Sequence, residues 1–133
     1  MKKINLKIGV LLIAVLMFCC RCAPNNLKIE KSYYLSYFEG DTTLAVKIEN
    51  NTFIDAVGSN VFELSHNNDF ILVKQHPKEF SKSENLLITN YYIIPLKHVV
   101  SKFPDINVIG PLTKKEFDEK FSQLSIPSTM KLR

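Results

Sequence analysis

The stretch Leu86-Leu87-Ile88-Thr89-Asn90-Tyr91-Tyr92-Ile93-Ile94-Pro95-Leu96 decides the fold class. Read with period two, Leu86, Ile88, Tyr92, Ile94 and Leu96 fall on one side, and Leu87, Tyr91 and Ile93 on the other. Both sides are apolar, so the pattern predicts a central β-strand over 86–96 with both faces covered. Pro95 has no amide hydrogen to donate to a ladder, which places the strand end or a bulge close to it.

Upstream, the same chemistry recurs in short segments rich in Tyr, Phe, Ile, Val and Thr, predicting strands near 32–38, 43–49, 53–57, 60–65 and 70–76. Turn residues separate them. Glu39-Gly40-Asp41 and Asn50-Asn51 tolerate positive φ, Gly58-Ser59 suits a tight turn or a bulge, and His66-Asn67-Asn68-Asp69 is the clearest hairpin connection. In the second of these strands Leu44, Val46 and Ile48 share one face while Lys47 and Glu49 take the other, so it reads as half exposed. Pro77 closes the 70–76 strand, and 78–85 reads as a charged, solvated loop.

Downstream of the central strand the pattern changes to a helix. Thr113 followed by Glu116 forms a capping box, Leu112 and Phe117 stand at the positions of a hydrophobic staple, and Phe117, Phe121 and Leu124 repeat at helical spacing. The expected helix covers 114–124 and stops before Pro127. Its Phe stripe reads as core against the sheet. The expected fold is therefore α+β, a five- or six-stranded antiparallel β-meander with one C-terminal α-helix packed on the sheet.

At 133 residues the chain has room for one domain. Apolar residues make up 46% and charged residues 23%, values of a globular protein rather than a disordered one. The net charge of +4 is misleading. Of 17 basic residues, Lys2, Lys3 and Lys7 precede the first apolar run, so 14 basic residues face 13 acidic ones in the remainder. Arginine occurs only as Arg21 and Arg133, and there is no basic stripe, so nucleic acid is not an expected partner.

The first 22 residues form three zones: a lysine-bearing start, an apolar run over 8–18 broken only by Gly9, and Cys19, Cys20 and Cys22 around Arg21. The run has the length of an export-signal core and falls short of the ~20 residues that span a bilayer. The segment resembles a lipobox, the signal in which a Leu-like residue and two smaller ones precede a cysteine that is lipidated and becomes the new N-terminus. Met17-Phe18-Cys19-Cys20 and Leu16-Met17-Phe18-Cys19 are the two frames, and Phe18 is large for either. Cys19 is the smaller residue before Cys20, so lipidation is expected at Cys20, with Cys19 as the alternative. The implied organisation is a signal peptide over 1–19, a lipidated N-terminus and short tether over 20–26, and a β-rich globular domain over 27–133. This predicts a cell-envelope protein whose domain lies outside the cytoplasm and whose first partner is the membrane, through its N-terminal lipid. Because every cysteine sits in the leader, the domain has no disulfide, zinc–cysteine site or cysteine nucleophile.

No Gly-rich phosphate loop, nucleophile elbow or metal-ligand spacing occurs, and no catalytic residue, cofactor or metal is expected. His66 lies in a polar turn, His76 precedes a proline, and His98 has no partner carboxylate at a defined spacing. Asp118 and Glu119 read as a solvated helix face, and Asp55 as pointing to water from an otherwise apolar strand. Tyr33, Tyr34, Tyr37, Tyr91 and Tyr92 are better candidates, because tyrosine offers apolar area with a polar tip. Alternation separates Tyr33 and Tyr37 from Tyr34. Tyr33, Tyr37 and Tyr91 are the expected contact residues.

Three phrases, Leu72-Val73-Lys74-Gln75-His76-Pro77, Thr89-Asn90-Tyr91-Tyr92-Ile93-Ile94, and Ile109-Gly110-Pro111-Leu112-Thr113 with Glu116-Phe117, together resemble an uncharacterised, domain-of-unknown-function family of small bacterial lipoproteins. The resemblance spans roughly 30–125 and implies an address without an activity. The leading expectation is thus a non-enzymatic, membrane-tethered module that binds an envelope protein, as an inhibitor or immunity-like protector. A small hydrolase or carbohydrate-acting enzyme built on His76 or Asp55 is the rival, and a structural envelope lipoprotein the third reading.

Overall fold

The computed structural model describes residues 25–78, 83, 85–97 and 107–132. The expected leader with Cys19, Cys20 and Cys22, most of the charged 78–85 loop, and His98 lie outside the described residues. Eight strands and one α-helix follow in order among the described residues, with a short 3-10 turn (Glu49–Asn51) between the third and fourth strands: β1 (Asn25–Glu30), β2 (Tyr33–Phe38), β3 (Asp41–Lys47), β4 (Phe53–Val57), β5 (Val61–His66), β6 (Phe70–Gln75), β7 (Asn90–Pro95), β8 (Ile109–Leu112) and α1 (Lys114–Gln123).

The strands do not form one meander. They divide into two four-stranded antiparallel sheets, β1-β2-β3-β4 and β5-β6-β7-β8, each a meander in itself. The break falls at Gly58–Ser59–Asn60, where Asn60 takes a φ of +63° and β4 and β5 part into different sheets. Asp41 fastens this corner. One of its carboxylate oxygens accepts the amide of Thr42 at 2.8 Å and that of Asn60 at 2.7 Å, a bond spanning 19 residues. A turn motif marks where a strand ends but not which neighbour the next strand joins, which is why the single sheet expected from sequence becomes two.

Two further strands went unread in the sequence. In β1 the apolar alternation of Leu27 and Ile29 is masked by Asn25-Asn26, which look like tether; pairing with β2, from Asn25 opposite Tyr37 to Glu30 opposite Tyr33, orders them. β8 contains Gly110 and Pro111, poor strand formers that an edge strand admits because one side of its ladder is unpaired. The segment 86–96 is shortened instead. Its strand begins at Asn90, opposite Gln75, and Leu86-Leu87-Ile88 belong to a preceding turn.

The turns follow local chemistry. Glu39 and Gly40 both have positive φ, as a two-residue type I′ hairpin requires. Asn67 Oδ1 accepts the amides of Asp69 and Phe70, both at 2.8 Å, which closes the β5–β6 hairpin as an Asx turn. The helix begins at the expected capping box: Glu116 accepts the Thr113 amide at 2.8 Å, and the Thr113 hydroxyl accepts the amide of Glu116.

Packing gives three layers. Tyr33, Leu44 and Val46 of the first sheet meet Ile71, Val73, Tyr92, Ile94 and Leu96 of the second sheet and its margin. On the far side of the second sheet, Leu72 and Ile93 meet Phe117, Ile126 and Met130 of the helix and C-terminal tail. The second sheet is thus covered on both faces, which explains why β6 and β7 bury consecutive rather than alternate residues. Each such Leu or Ile contributes about 1.5–3 kcal/mol on leaving water.

Candidate functional site

The helix-covered face of the second sheet does not close completely. β7 points Tyr91 toward α1, where its ring meets Phe117 at 5.1 Å between centroids, and Phe117 meets Phe121 at 5.9 Å. The tail folds back beside them, with the Ile126 amide bonded to the Phe121 carbonyl and that of Met130 to Pro127. Between sheet, helix and tail is an open hollow of about 290 Å³.

Its floor is Phe117, Phe121 and Met130, and its rim carries three ammonium groups, Lys74, Lys114 and Lys131. Lys74 stands opposite Tyr91 in the ladder, 6.0 Å from the ring centroid, and bonds Glu63 of β5 at 2.7 Å. Lys114 lies 5.9 Å from the Phe117 ring and bonds both carboxylate oxygens of Asp118. Lys131 makes no ion pair among the described residues. The hollow thus combines an apolar, aromatic lining with three lysines, two of them bonded to carboxylates of the same surface, and it is open to solvent.

The three tyrosines expected as contact residues are not brought together. Tyr33 is 0% exposed and sits between the sheets, so it is a core residue and not a contact residue, a correction to that reading. It and Tyr37 share a face by alternation but lie at opposite ends of β2, Tyr33 beside Glu30 and Val46 and Tyr37 beside Asn25 and Thr42. Tyr37 lines a separate hollow of about 330 Å³ with Leu35, Phe62 and Leu64. Tyr91 alone reaches the helix-side hollow. Tyr34 packs edge-on against Phe53 at 5.2 Å on the outer face of the first sheet.

Burial raises the Tyr33 hydroxyl above its ordinary pKa. It also raises Tyr92, where a bond with Asn90 partly offsets the rise.

Asp55 is exposed on the outer face of the first sheet, in an open hollow with Ser36, Phe38 and Asp41, and Asp41 is the carboxylate already committed to the corner. His76 places Nδ1 2.9 Å from the Ile88 carbonyl oxygen and stacks on Phe62 at 4.2 Å, and His66 Nδ1 lies 4.0 Å from Glu30. Among the described residues no cluster of three or more His, Cys, Asp and Glu side chains could hold a metal ion. No helix there is long and apolar enough to cross a membrane.

The structure adds one surface that sequence reading missed. Leu86, Leu87 and Ile88, assigned by periodicity to the buried strand, stand exposed in a turn. The available signal was Asn85, whose side chain accepts the Leu87 amide at 3.1 Å and so starts an Asx turn before the strand can begin.

These features define a three-layer protein, two packed antiparallel sheets with a capped helix over the second. The chain belongs to a family described as a protein of unknown function (DUF3997), which it matches over residues 30–133. No curated protein and no solved structure matches it.

Proposed function

We propose that this protein is a lipid-tethered module of the bacterial cell envelope that binds a protein partner through the hollow at Tyr91, without catalysing a reaction. The tether rests on the leader: a lysine-bearing start, a short apolar run and the cysteine cluster at Cys20. The observation that carries the binding is the hollow itself, an open hollow lined by Tyr91, Phe117, Phe121 and Met130 beside lysine ammonium groups. Such a hollow accepts an anchoring side chain from another surface, and the lysine rim selects an acidic neighbour to it.

The test is site-specific photo-crosslinking of the full chain in intact cells, with the photoreactive residue at Lys131 or, as control, at Asp55 on the outer face. One discrete adduct from position 131, absent from position 55 and lost on Phe121→Asp, is expected. Identical diffuse labelling from both positions would refute the binding. Intact mass of wild type against Cys20→Ala tests the tether independently: acyl mass should be present in the first and absent in the second.

A further inference from the structure

The exposed large apolar side chains are not scattered. Leu86 is 63% exposed, Leu87 97% and Ile88 48%, three in sequence in one turn. Phe38 and Phe62 are exposed too. Ladder register puts all of them at one end of the sandwich. Asn25 pairs with Tyr37 and Tyr37 with Thr42 in the first sheet; Val61 pairs with Gln75 and Gln75 with Asn90 in the second. The two ends are joined through Asp41 and Asn60, and through the stack of Phe62 on His76, which bonds the carbonyl of Ile88. Phe53 and Ile54, also exposed, lie at the opposite end, where Phe53 pairs with Lys47.

This apolar end is where the chain enters the domain. Cys20 is five residues before Asn25, and five residues reach at most about 17 Å. The six residues of β1 then lead away for about 20 Å. A lipid on Cys20 therefore keeps the Leu87 end within reach of the bilayer, and the Phe53 end is a strand length farther along the chain.

Part of the turn's backbone is bonded within the protein. The Leu87 amide bonds Asn85 Oδ1, the Ile88 amide bonds the Asn85 carbonyl at 3.3 Å, the Asn85 amide bonds the Pro77 carbonyl at 2.9 Å, and the Ile88 carbonyl lies 2.9 Å from His76 Nδ1. With the Leu87 and Ile88 amides and the Ile88 carbonyl bonded internally, the turn enters the acyl boundary at lower cost than one whose backbone groups all need water.

We propose that Leu86-Leu87-Ile88 inserts into the boundary between headgroups and acyl chains of the membrane that holds the lipid, so that the domain stands on that membrane in one orientation. The proposal rests on the tether proposed above. Insertion of the turn adds a second point of attachment, and two points fix an orientation that one flexible lipid leaves free.

The chain has no tryptophan, so a single one reports its own surroundings. The full chain carrying Leu87→Trp, and in parallel Phe53→Trp, is reconstituted in phosphatidylethanolamine–phosphatidylglycerol vesicles with brominated acyl chains. The indole of Leu87→Trp is expected to shift to the blue and lose the greater part of its emission to bromine, while that of Phe53→Trp keeps its own. With acyl mass confirmed on the sample, unquenched, aqueous emission from Leu87→Trp overturns the insertion and leaves the tether intact. Emission from Leu87→Trp that is blue-shifted but unquenched also overturns it, because a protein surface or a second copy then covers the turn. A sample without acyl mass overturns the tether, and this proposal with it.

Discussion

The Tyr92 hydroxyl donates to Oε1 of Gln75 at 2.8 Å, across the β6–β7 ladder and inside the core between the sheets. Gln75 is the buried polar side chain of the described core, and its other end donates Nε2 to the Ser59 carbonyl at 2.9 Å. One amide thereby ties the centre of the second sheet to the link between the sheets. Asn90 Nδ2 adds a longer bond to the same oxygen, at 3.4 Å.

Removing one partner of a buried bond costs more than the bond itself contributes, because the remaining group stays desolvated. Tyr92→Phe is expected to destabilise by about 1 kcal/mol, with Asn90 still serving Gln75. Gln75→Leu strands the Ser59 carbonyl as well as the tyrosine hydroxyl and should cost more. Urea unfolding of the two variants measures the order, and an equal loss would refute the shared role of Gln75.

Gly110 lies against Tyr92, with a φ of +145°. A Cβ there would meet Tyr92 Cδ1 at 2.5 Å and the Tyr91 carbonyl oxygen at 2.8 Å, neither of which has room to retreat. Gly110→Ala should lose about 1–3 kcal/mol to overpacking, with backbone strain in addition. Gly40→Ala has positive φ but nothing within 4 Å, so it carries the conformational cost alone. Thermal melts that rank Gly40→Ala as the more damaging would contradict this.

Tyr33 presents the opposite case. Its hydroxyl is buried and has no hydrogen-bond partner among the described residues. Tyr33→Phe removes a desolvated polar group and keeps the ring, so stability is expected to stay level or rise by about 1 kcal/mol. The pKa of Tyr33 is raised above its ordinary 10.0 by burial, so the unfolded chain releases this proton first and the fold loses stability as pH rises from 10.0 through the folded-state value, with no such loss below it. The variant should therefore also tolerate alkali better in a pH titration of unfolding.

The helix cap predicts an acid response. Bonds from the Thr113 amide and hydroxyl hold the Glu116 carboxyl below its ordinary 4.5. A lowered folded-state pKa means that the unfolded chain binds more protons in this range, so the contribution is present above 4.5 and fades as pH falls through the lowered value. Thr113→Ala should cost about 1 kcal/mol near neutrality and weaken this acid limb in part, since the residue 113 amide still bonds Glu116. Circular dichroism against pH, with both chains losing helix in parallel, would refute the linkage.

Much of this structure is legible in the chain because its signals are local. Thr113 and Glu116 cap α1 through atoms three residues apart, and Asn67 closes its hairpin within three residues. The two-faced apolarity of Tyr91 to Leu96 likewise requires cover on both sides, which the helix and the first sheet supply. The candidate site was legible only in part. Tyr91 belongs to the hollow, but Tyr33 and Tyr37 share its chemistry without its surroundings, and residue type does not report surroundings.

The sequence by itself determined the kind of β2 to β7 and of α1, because periodicity and capping depend on neighbours within a turn or two. Tertiary structure alone decided that the strands make two sheets rather than one. That outcome depends on the bond from Asn60 to Asp41 and on the pairing of Gln75 with Asn90, contacts between residues far apart in the chain. The same long-range register left Leu86, Leu87 and Ile88 outside the core, since a period-two pattern fixes which way a side chain points but not where its strand begins.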